Sequence, residues 1–469
     1  MSETKRLLKN TGIIALGGIS TKLLSFLLLP LYTALLTPED YGVIDYVTVL
    51  SIFLIPFVSL VMDETVFRFL VECKTPEDVQ RRFSQAFCVV LCGIGVFLPA
   101  CGLAVGLTRY TYGWYLIPYV ILSVISGMFS AYYRGTGRMK QYAAYNFALS
   151  ALTILFNLLL VAVFRMGLTG MLLGSLGAVV GLVAYCLIFV KLYRLVSFHG
   201  IRKTEMREMV RYALPLIPNR ISWNAVSLVN RLLIINTLSE AANGIYAIGL
   251  KFPTLVNTAY GFFYQSWMES AARVRESDKE GLEAYYNQVF SDVKRVMLSA
   301  VLCVIAFLPL IFRFFVNEQF ADAMPLVPIA LLAVLFDSYS SFLGGIFTAS
   351  KNTRIMGRTT LIAALVSCLF CAAAISRIGL YAAVSATLAA YLISFIIRRK
   401  KVMRHCALKT EPRWNLVAVL CAAGTLALFY SGNGILRLCV YPLALGFSLW
   451  SCKGLLQRFI VSRRESHAA

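Results

Sequence analysis

Charged residues and histidines are scarce in this sequence. Asp, Glu, Lys and Arg make up 14% of it, against about 25% in soluble proteins. The three histidines fall in predicted loops, and no cluster of metal ligands and no nucleophile elbow is visible. These absences argue against a soluble enzyme. The 59% hydrophobic content and the mean hydropathy of +0.74 predict instead an all-α polytopic membrane protein.

A disulfide framework and nucleic-acid-binding motifs are also missing. The twelve cysteines fall in apolar stretches or in predicted inner loops, where small apolar side chains are common. The net charge of +21 is ascribed to the excess of Lys and Arg that membrane proteins carry in cytoplasmic loops. We therefore expect no nucleic-acid partner, no metal and no organic cofactor.

Fourteen apolar stretches are long enough to span a bilayer, which needs about 20 mostly apolar residues. They run approximately over residues 11–36, 43–67, 83–107, 113–133, 142–164, 168–192, 212–237, 245–270, 293–316, 324–349, 359–376, 379–398, 414–430 and 435–457. The first lacks an A-x-A-like cleavage site, so it is interpreted as a retained span and not as a signal peptide.

The distribution of Lys and Arg predicts the orientation. With the N-terminus inside, the inner segments hold 35 basic residues and the outer turns hold five. This predicts that both termini lie on the cytoplasmic side of the membrane. Four basic residues are left within the spans: Lys22, Arg220, Arg231 and Lys251.

The chain contains an internal repeat. LTPEDYGVI (36–44) aligns with LSEAANGIY (238–246), and RMGLTGMLLGSLGA (165–178) aligns with RIGLYAAVSATLAA (377–390). The repeat predicts a six-helix lobe over 1–197, a second over 198–402, and two further helices with a cytoplasmic tail over 403–469. Parallel repeats of this kind commonly rock around a site at the middle of the membrane, which favours a transporter.

A polar stripe marks the seventh span. Arg220, Asn224 and Arg231 are spaced by 4 and 7 residues, which places them on one helix face about 16 Å long. Lys251 and Lys22 lie on similar stripes of the eighth and first spans. Because a basic residue at mid-membrane costs roughly 2.5–3.5 kcal/mol, we expect these residues to line a hydrated cavity. Arginine forks onto phosphate oxygens, so phosphate or pyrophosphate is the predicted ligand, and snorkelling or ion pairing is the alternative.

Four acidic residues lie in or near the spans: Asp45, Asp63, Glu64 and Asp337. An intramembrane carboxylate can carry a coupling proton or sodium ion. The alternative is a structural ion pair, of Glu64 with Arg68 four residues later or of these acids with Lys22 or Lys251. Prolines 215, 218 and 253 are expected to kink the seventh and eighth spans.

Several motifs resemble those of a known family. The similarity is to polysaccharide-biosynthesis flippases. It lies in LLTPEDYGVIDY after the first span, in YYRGTGRMKQY after span four, and in YALPLIP with NRLLI and NGIYAIGLK in spans seven and eight. The resemblance covers nearly the whole chain. This oligosaccharide flippase family belongs to the multidrug/oligosaccharidyl-lipid/polysaccharide (MOP) exporter superfamily, with the multidrug/toxin (MATE) extruders and the lipid II flippases.

The resemblance implies a V-shaped, MATE-like transporter that is not an enzyme. Its members flip polyprenyl-pyrophosphate-linked oligosaccharides from the inner to the outer leaflet by alternating access, for export of cell-envelope polysaccharide. The bilayer, the lipid-linked oligosaccharide and other polysaccharide-assembly proteins are the expected partners. Arg231 falls where such flippases commonly have the Arg of an Asp-Arg pair, and here Asn230 replaces that Asp.

Three other functions fit the sequence less well. A multidrug extruder on the same fold would bind cationic drugs, and basic residues in the spans argue against that. A membrane polymerase or ligase for lipid-linked sugars would need a site, and no sizeable outer loop exists to build one. A voltage-gated channel would need Arg at every third residue of a sensor helix, which is not found.

Overall fold

The computed structural model describes residues 26–197, 201–277, 281–350, 354–404, 406, 409, 411–431 and 438–468, which are mainly helical and form no strand. In the first half of the chain the helices are α1 Leu29–Leu35, α2 Pro38–Ser59, α3 Met62–Leu70, α4 Pro76–Thr108, α5 Gly113–Gly135, α6 Met139–Asn157, α7 Gly167–Ile188, α8 Lys203–Ala213 and α9 Leu216–Thr237. A π-helical turn over Leu158–Val163 extends α6, and a 3-10 turn over Leu192–Leu195 follows α7.

The second half begins with a short helix. Its helices are α10 Glu240–Gly249, α11 Lys251–Ser277, α12 Leu282–Phe315, α13 Val327–Ala349, α14 Arg354–Ile378, α15 Leu380–Val402, α16 Pro412–Tyr430 and α17 Val440–Ala468. A 3-10 segment over Glu318–Leu326 precedes α13. Contacts divide the chain into two compact units, one of residues 1–235 with 239–244 and one of residues 236–238 with 245–469. The predicted lobe boundaries after residues 197 and 402 stay predictions.

Ten helices of the described residues are long and apolar enough to cross a membrane. They coincide with predicted spans two to six and nine to thirteen, and the protein is therefore a multi-pass, all-α membrane protein, as predicted. The seventh, eighth and fourteenth predicted spans form helices α9, α11 and α17, which fall outside this set of ten. Most of the first predicted span lies outside the described residues.

Two helices begin at the same four-residue motif, TPED. At the start of α2, Thr37 Oγ1 accepts a hydrogen bond from the Asp40 N–H at 3.1 Å, and the Asp40 carboxylate accepts one from the Thr37 N–H at 3.2 Å. At the start of α4, Thr75 Oγ1 accepts from the Asp78 N–H at 3.2 Å. Capping of this kind satisfies backbone donors that a helix start leaves unpaired, and it fixes where α2 begins.

The prolines expected to kink spans seven and eight lie instead at helix starts. Pro215 precedes α9, Pro218 lies in its first turn, and Pro253 lies in the first turn of α11. Helices α8 and α10 end at Ala213 and Gly249, so both predicted spans are interrupted just before these prolines, and the kink itself stays a prediction. Near the predicted site, Pro56 lies inside the continuous helix α2.

The second predicted span is broken between α2 and α3. Leu60 and Val61 separate the two helices with φ angles of 47° and 56°, in the left-handed region, which costs a non-glycine residue about 1–2 kcal/mol. Ser59 Oγ accepts a hydrogen bond from the Val61 N–H at 3.1 Å and supports the break. As a result Asp63 and Glu64 lie in the first turn of a new helix.

The amphipathic helix α8 is attached to α4 by Glu205. Its carboxylate accepts hydrogen bonds from Arg81 at 3.2 Å and Gln85 at 2.9 Å. Partial burial favours a higher pKa, but the Gln85 hydrogen bond and the charges of Arg82 and Arg81 together hold the pKa of Glu205 below its ordinary value. The attachment fixes the chain just before α9, the helix that carries the polar stripe.

Candidate functional site

The polar stripe of α9 faces α2 and α3. Arg220, Asn224 and Arg231 each contact one of these two helices. They lie on one helix face, as their spacing predicts. The three contacts run along the stripe, with the Arg231 contact near the start of α2 and the Arg220 contact in the first turn of α3.

Arg231 forms a largely buried ion pair with Asp45. Its Nε lies 2.9 Å from Asp45 Oδ2, and the side chains are 11% and 19% exposed. Arg231 Nη1 also donates to the Ser227 carbonyl oxygen at 3.2 Å. A charge-assisted hydrogen bond in such a setting is about twice as strong as a neutral one, so Asp45 fixes the position of this guanidinium.

Arg220 contacts two carboxylates. It donates from Nη1 to Glu64, and its Nη2 lies 3.5 Å from Asp63 Oδ2. All three side chains are partly exposed. Since both acids lie in the first turn of α3, they also suit the positive end of that helix dipole. The break between α2 and α3 is what brings two adjacent acids to the arginine.

Asn224 compensates for Pro56. A proline has no N–H, so the carbonyl four residues earlier, that of Ile52, loses its helical donor. Asn224 Nδ2 donates to this carbonyl oxygen at 3.0 Å. Side chains from neighbouring helices commonly satisfy such freed backbone groups in membrane proteins. Asn224 is therefore bound to α2 for a structural reason.

A double-mutant cycle tests this pairing. Asn224→Ala is expected to lower the free energy of unfolding by about 1 kcal/mol or more, because the Ile52 carbonyl loses its donor. In a Pro56→Ala background the cost should nearly vanish, because residue 56 regains an N–H that can bond to Ile52. Unfolding of the detergent-purified variants measures both costs, with Ser227→Ala as the control. Equal costs in the two backgrounds would contradict the pairing.

A pocket of about 260 Å³ lies beside Arg220. Its polar lining consists of Ser59, Asp63, Arg220 and Asn224, and its apolar lining includes Pro56 inside α2. Ligand pockets are typically about 300–1,000 Å³. The pocket therefore suits one small charged group better than a chain of sugars.

The structure corrects the expected surroundings of the two arginines. Both were expected to bind an anion in a hydrated cavity, yet Arg220 contacts Glu64 and Asp63, and Arg231 contacts Asp45. The predicted Glu64–Arg68 pair is also wrong. These pairings join residues more than 150 positions apart, which the sequence pattern did not reveal.

Arg68, near the end of α3, pairs instead with Glu72 just after the helix at 2.6 Å, and both side chains are exposed. The two remaining basic residues are less informative. Lys251 is half-buried at the first position of α11, and Lys22 lies outside the described residues. The roles of Arg220, Asn224, Arg231, Lys251 and Lys22 as ligands of a phosphate stay predictions.

Asp337 lies within α13 near a buried arginine, Arg398, which was not among the predicted site residues. The Ser341 hydroxyl lies 3.4 Å from Asp337 Oδ1, and Arg398 interacts with Asp337 electrostatically. Arg398 is 5% exposed and donates to three neutral acceptors: Ser340 O at 2.9 Å, Thr359 Oγ1 at 3.0 Å and Thr360 Oγ1 at 3.3 Å.

The sequence places Arg398 at the inner end of the twelfth predicted span, where it opens the basic run RRKK. Its buried position places a positive charge near Asp337. The role of Asp45, Asp63, Glu64 and Asp337 in ion coupling or gating stays a prediction.

The family comparison covers the whole stripe. A family model described as "Polysaccharide biosynthesis protein" matches residues 7–268. The chain belongs to this family. Within this polysaccharide biosynthesis protein, the matched range includes the α9 stripe and its partners on α2 and α3, while Asp337 and Arg398 lie beyond it. No curated relative matches the sequence.

Solved transporter structures share the fold of this family member. An inward-facing multidrug resistance MATE family transporter of the MOP superfamily has a TM-score of 0.68 and 14% identity, covering 83% of this chain and 98% of its own. The outward-facing conformation of a multidrug resistance MATE family transporter has a TM-score of 0.58 and 14% identity, covering 84% and 96%.

A MOP superfamily transporter from Pyrococcus furiosus Vc1, whose binding pocket is described as having reverse polarity, has a TM-score of 0.56 and 13% identity, covering 84% and 95%. At such identities the likeness shows the fold alone. Together with the ten membrane-spanning helices, it makes this polysaccharide biosynthesis protein a multi-pass membrane protein of MATE-like fold.

Proposed function

We propose that this protein flips a polyprenyl-pyrophosphate-linked oligosaccharide from the inner to the outer leaflet by alternating access. The family supports a role in polysaccharide synthesis, and the fold supports transport. The cargo is inferred from the α9 stripe, where two arginines and an asparagine lie on one face. The protein would act in a bacterial inner membrane, with both termini in the cytoplasm and with other polysaccharide-assembly proteins as partners.

The observation that carries this proposal is the pairing of each stripe arginine with carboxylates. A phosphate presents oxygens in the same forked geometry that arginine binds in a carboxylate. A pyrophosphate can therefore replace Asp45 or Glu64 without leaving a guanidinium bare. An unpaired buried charge is expensive, so the exchange keeps each guanidinium paired, and the displaced carboxylate takes up a proton, a cation or water in its place.

The pocket beside Arg220 limits what enters. Its volume of about 260 Å³ holds a phosphate group, while the sugars extend into wider space and the lipid tail stays in the bilayer. Lys251 and Lys22 add positive charge on the neighbouring predicted stripes. Arg231 binds a second phosphate position along the same face of α9.

The exchange also supplies a route to energy coupling. Once cargo takes the arginines, Asp45, Asp63 and Glu64 are free to take up a proton or a sodium ion, and no organic cofactor is needed. Moving one charge across the membrane potential is worth about 2.3 kcal/mol per 100 mV. This energy is enough to bias the return of the empty transporter. Asp337 is a further candidate for such an ion.

A multidrug extruder is the second candidate function. Three carboxylates meet two arginines along the stripe, so the site is net acidic when it is empty. A cationic compound could pair with the surplus carboxylate near Arg220. This function predicts altered drug tolerance in a strain that lacks the gene.

Leaflet-resolved analysis of lipid-linked sugars tests the proposed function. A deletion strain should accumulate the lipid-linked oligosaccharide where a membrane-impermeant reagent cannot reach it from outside, and the wild-type gene should reverse this. Accumulation on the outer leaflet would indicate a polymerase or ligase instead. Unchanged lipid-linked sugars together with a shifted drug tolerance would indicate an extruder. Arg68→Gln, at an exposed ion pair, is the matched control variant.

A further inference from the structure

Two glycines at equivalent positions of the internal repeat touch each other. Gly42 on α2 and Gly244 on α10 are 202 residues apart, which is the offset of the repeated motif. A Cβ on Gly42 would overlap the carbonyl oxygen of Glu240, and a Cβ on Gly244 would overlap that of Pro38. Pro38 and Glu240 are also 202 residues apart. The contact therefore has local two-fold symmetry and brings two backbones together.

A polar clamp holds this contact, which we name the glycine closure. Asn243 is fully buried, and its Nδ2 donates to the Gly42 carbonyl oxygen at 2.8 Å. The same nitrogen lies 3.4 Å from Asp45 Oδ2, the atom that also accepts from Arg231. One carboxylate thus links the arginine of the stripe to the clamp.

The glycine closure is built to separate. Glycine has no side chain, so the contact between Gly42 and Gly244 itself involves no interlocked side chains. Asn243 Oδ1 is buried and, within the part of the chain that the structure describes, has no hydrogen-bond partner. A buried acceptor without a partner carries a free-energy cost, and entry of water on opening removes it.

We propose that the glycine closure blocks release of cargo at the predicted outer end of the helices and that an anionic phosphate opens it by taking Arg231 from Asp45. The second half of this proposal rests on the proposed function. When the Arg231 side chain binds the phosphate, the Asp45 carboxylate is left with an uncompensated charge next to the clamp. Water is then drawn to the carboxylate, Asn243 loses its hold on Gly42, and the two motifs move apart.

Labelling of a single introduced cysteine tests the closure itself. Val49 lies one turn beyond Asp45 on α2 and is half-buried, so Val49→Cys reports access from the outer end. A charged, membrane-impermeant thiol reagent is applied to intact cells. The labelling of the protein without this substitution is subtracted as background. Gly42→Ala, and separately Asn243→Ala, should raise the labelling rate at least fivefold.

Gly95→Ala is the control for this test, and Asn243→Ala is its second variant. Gly95→Ala, at a helical glycine whose added Cβ meets nothing within 4 Å, should leave labelling unchanged. Asn243→Ala removes the clamp without a backbone clash, so it reports even where Gly42→Ala fails to fold. Unchanged labelling in Asn243→Ala would overturn the closure.

Inorganic pyrophosphate tests the trigger on the purified full-length protein. It should raise labelling of Val49→Cys at least threefold, whereas the added variant Arg231→Gln should label rapidly with or without pyrophosphate. If Asn243→Ala raises the labelling but pyrophosphate does not, the proposed trigger is overturned and the closure is not. Because this readout needs no lipid-linked sugar, a wrong cargo in the proposed function would leave the closure standing.

Discussion

Replacing Arg231 by glutamine is expected to lower the free energy of unfolding by about 3–5 kcal/mol, the range for breaking one side of a buried ion pair. The reason is the Asp45 carboxylate, which is 19% exposed and would lose its guanidinium. Transport should be lost at the same time, because the variant removes a proposed phosphate ligand. Unfolding in detergent measures the first effect, and leaflet-resolved lipid-linked sugars measure the second.

The double variant Asp45→Asn/Arg231→Gln separates the two effects. Two neutral side chains leave no bare charge, so most of the lost stability should return. Transport should not return, because the phosphate ligand is still missing. If the stable double variant transported normally, Arg231 would have a purely structural role.

Reversing the charge of Arg220 is expected to have the second large effect. Arg220→Glu would place a third carboxylate beside Asp63 and Glu64, where an arginine now contacts both. Like charges repel at this distance, so we expect at least a tenfold loss of transport and a lower melting temperature. Thermal unfolding in detergent and complementation of the deletion strain measure the two changes.

The swapped double variant Arg220→Glu/Glu64→Arg should recover part of both losses because it restores an opposite-charge contact. Arg68→Glu is the matched control. Arg68 lies on α3, the helix that also carries Asp63 and Glu64, but it pairs with Glu72 on the exposed surface. Its effect on stability should stay within about 1 kcal/mol. Equal losses for Arg68→Glu and Arg220→Glu would refute a special role for the pocket.

Periodic features of the fold were accessible from the sequence. Ten of the spans predicted from apolar stretches are helices long and apolar enough to cross a membrane. The 4- and 7-residue spacing correctly placed Arg220, Asn224 and Arg231 on one face of a helix. Hydrophobicity and helical period are local properties, and these predictions needed nothing else. The repeated motif was visible for the same reason, although its two glycines had no predicted contact.

The partners of the charges could not be predicted in this way. Asp45 and Arg231 are 186 residues apart, and Glu64 and Arg220 are 156 apart, so their pairing depends on how whole helices pack. The break at Leu60 and Val61 was equally hidden. These are bulky apolar residues in the left-handed region, where a glycine would have been the recognisable signal.

The symmetry of the glycine closure has a consequence for how such a chain arises. A surface that meets its own copy across a two-fold axis is the isologous interface of a homodimer. A half-length ancestor with one copy of the motif could therefore have assembled as a dimer through this same glycine. After gene fusion, a bulky side chain at either copy would still disturb both faces of the interface, so one steric requirement now acts at two places in a single polypeptide.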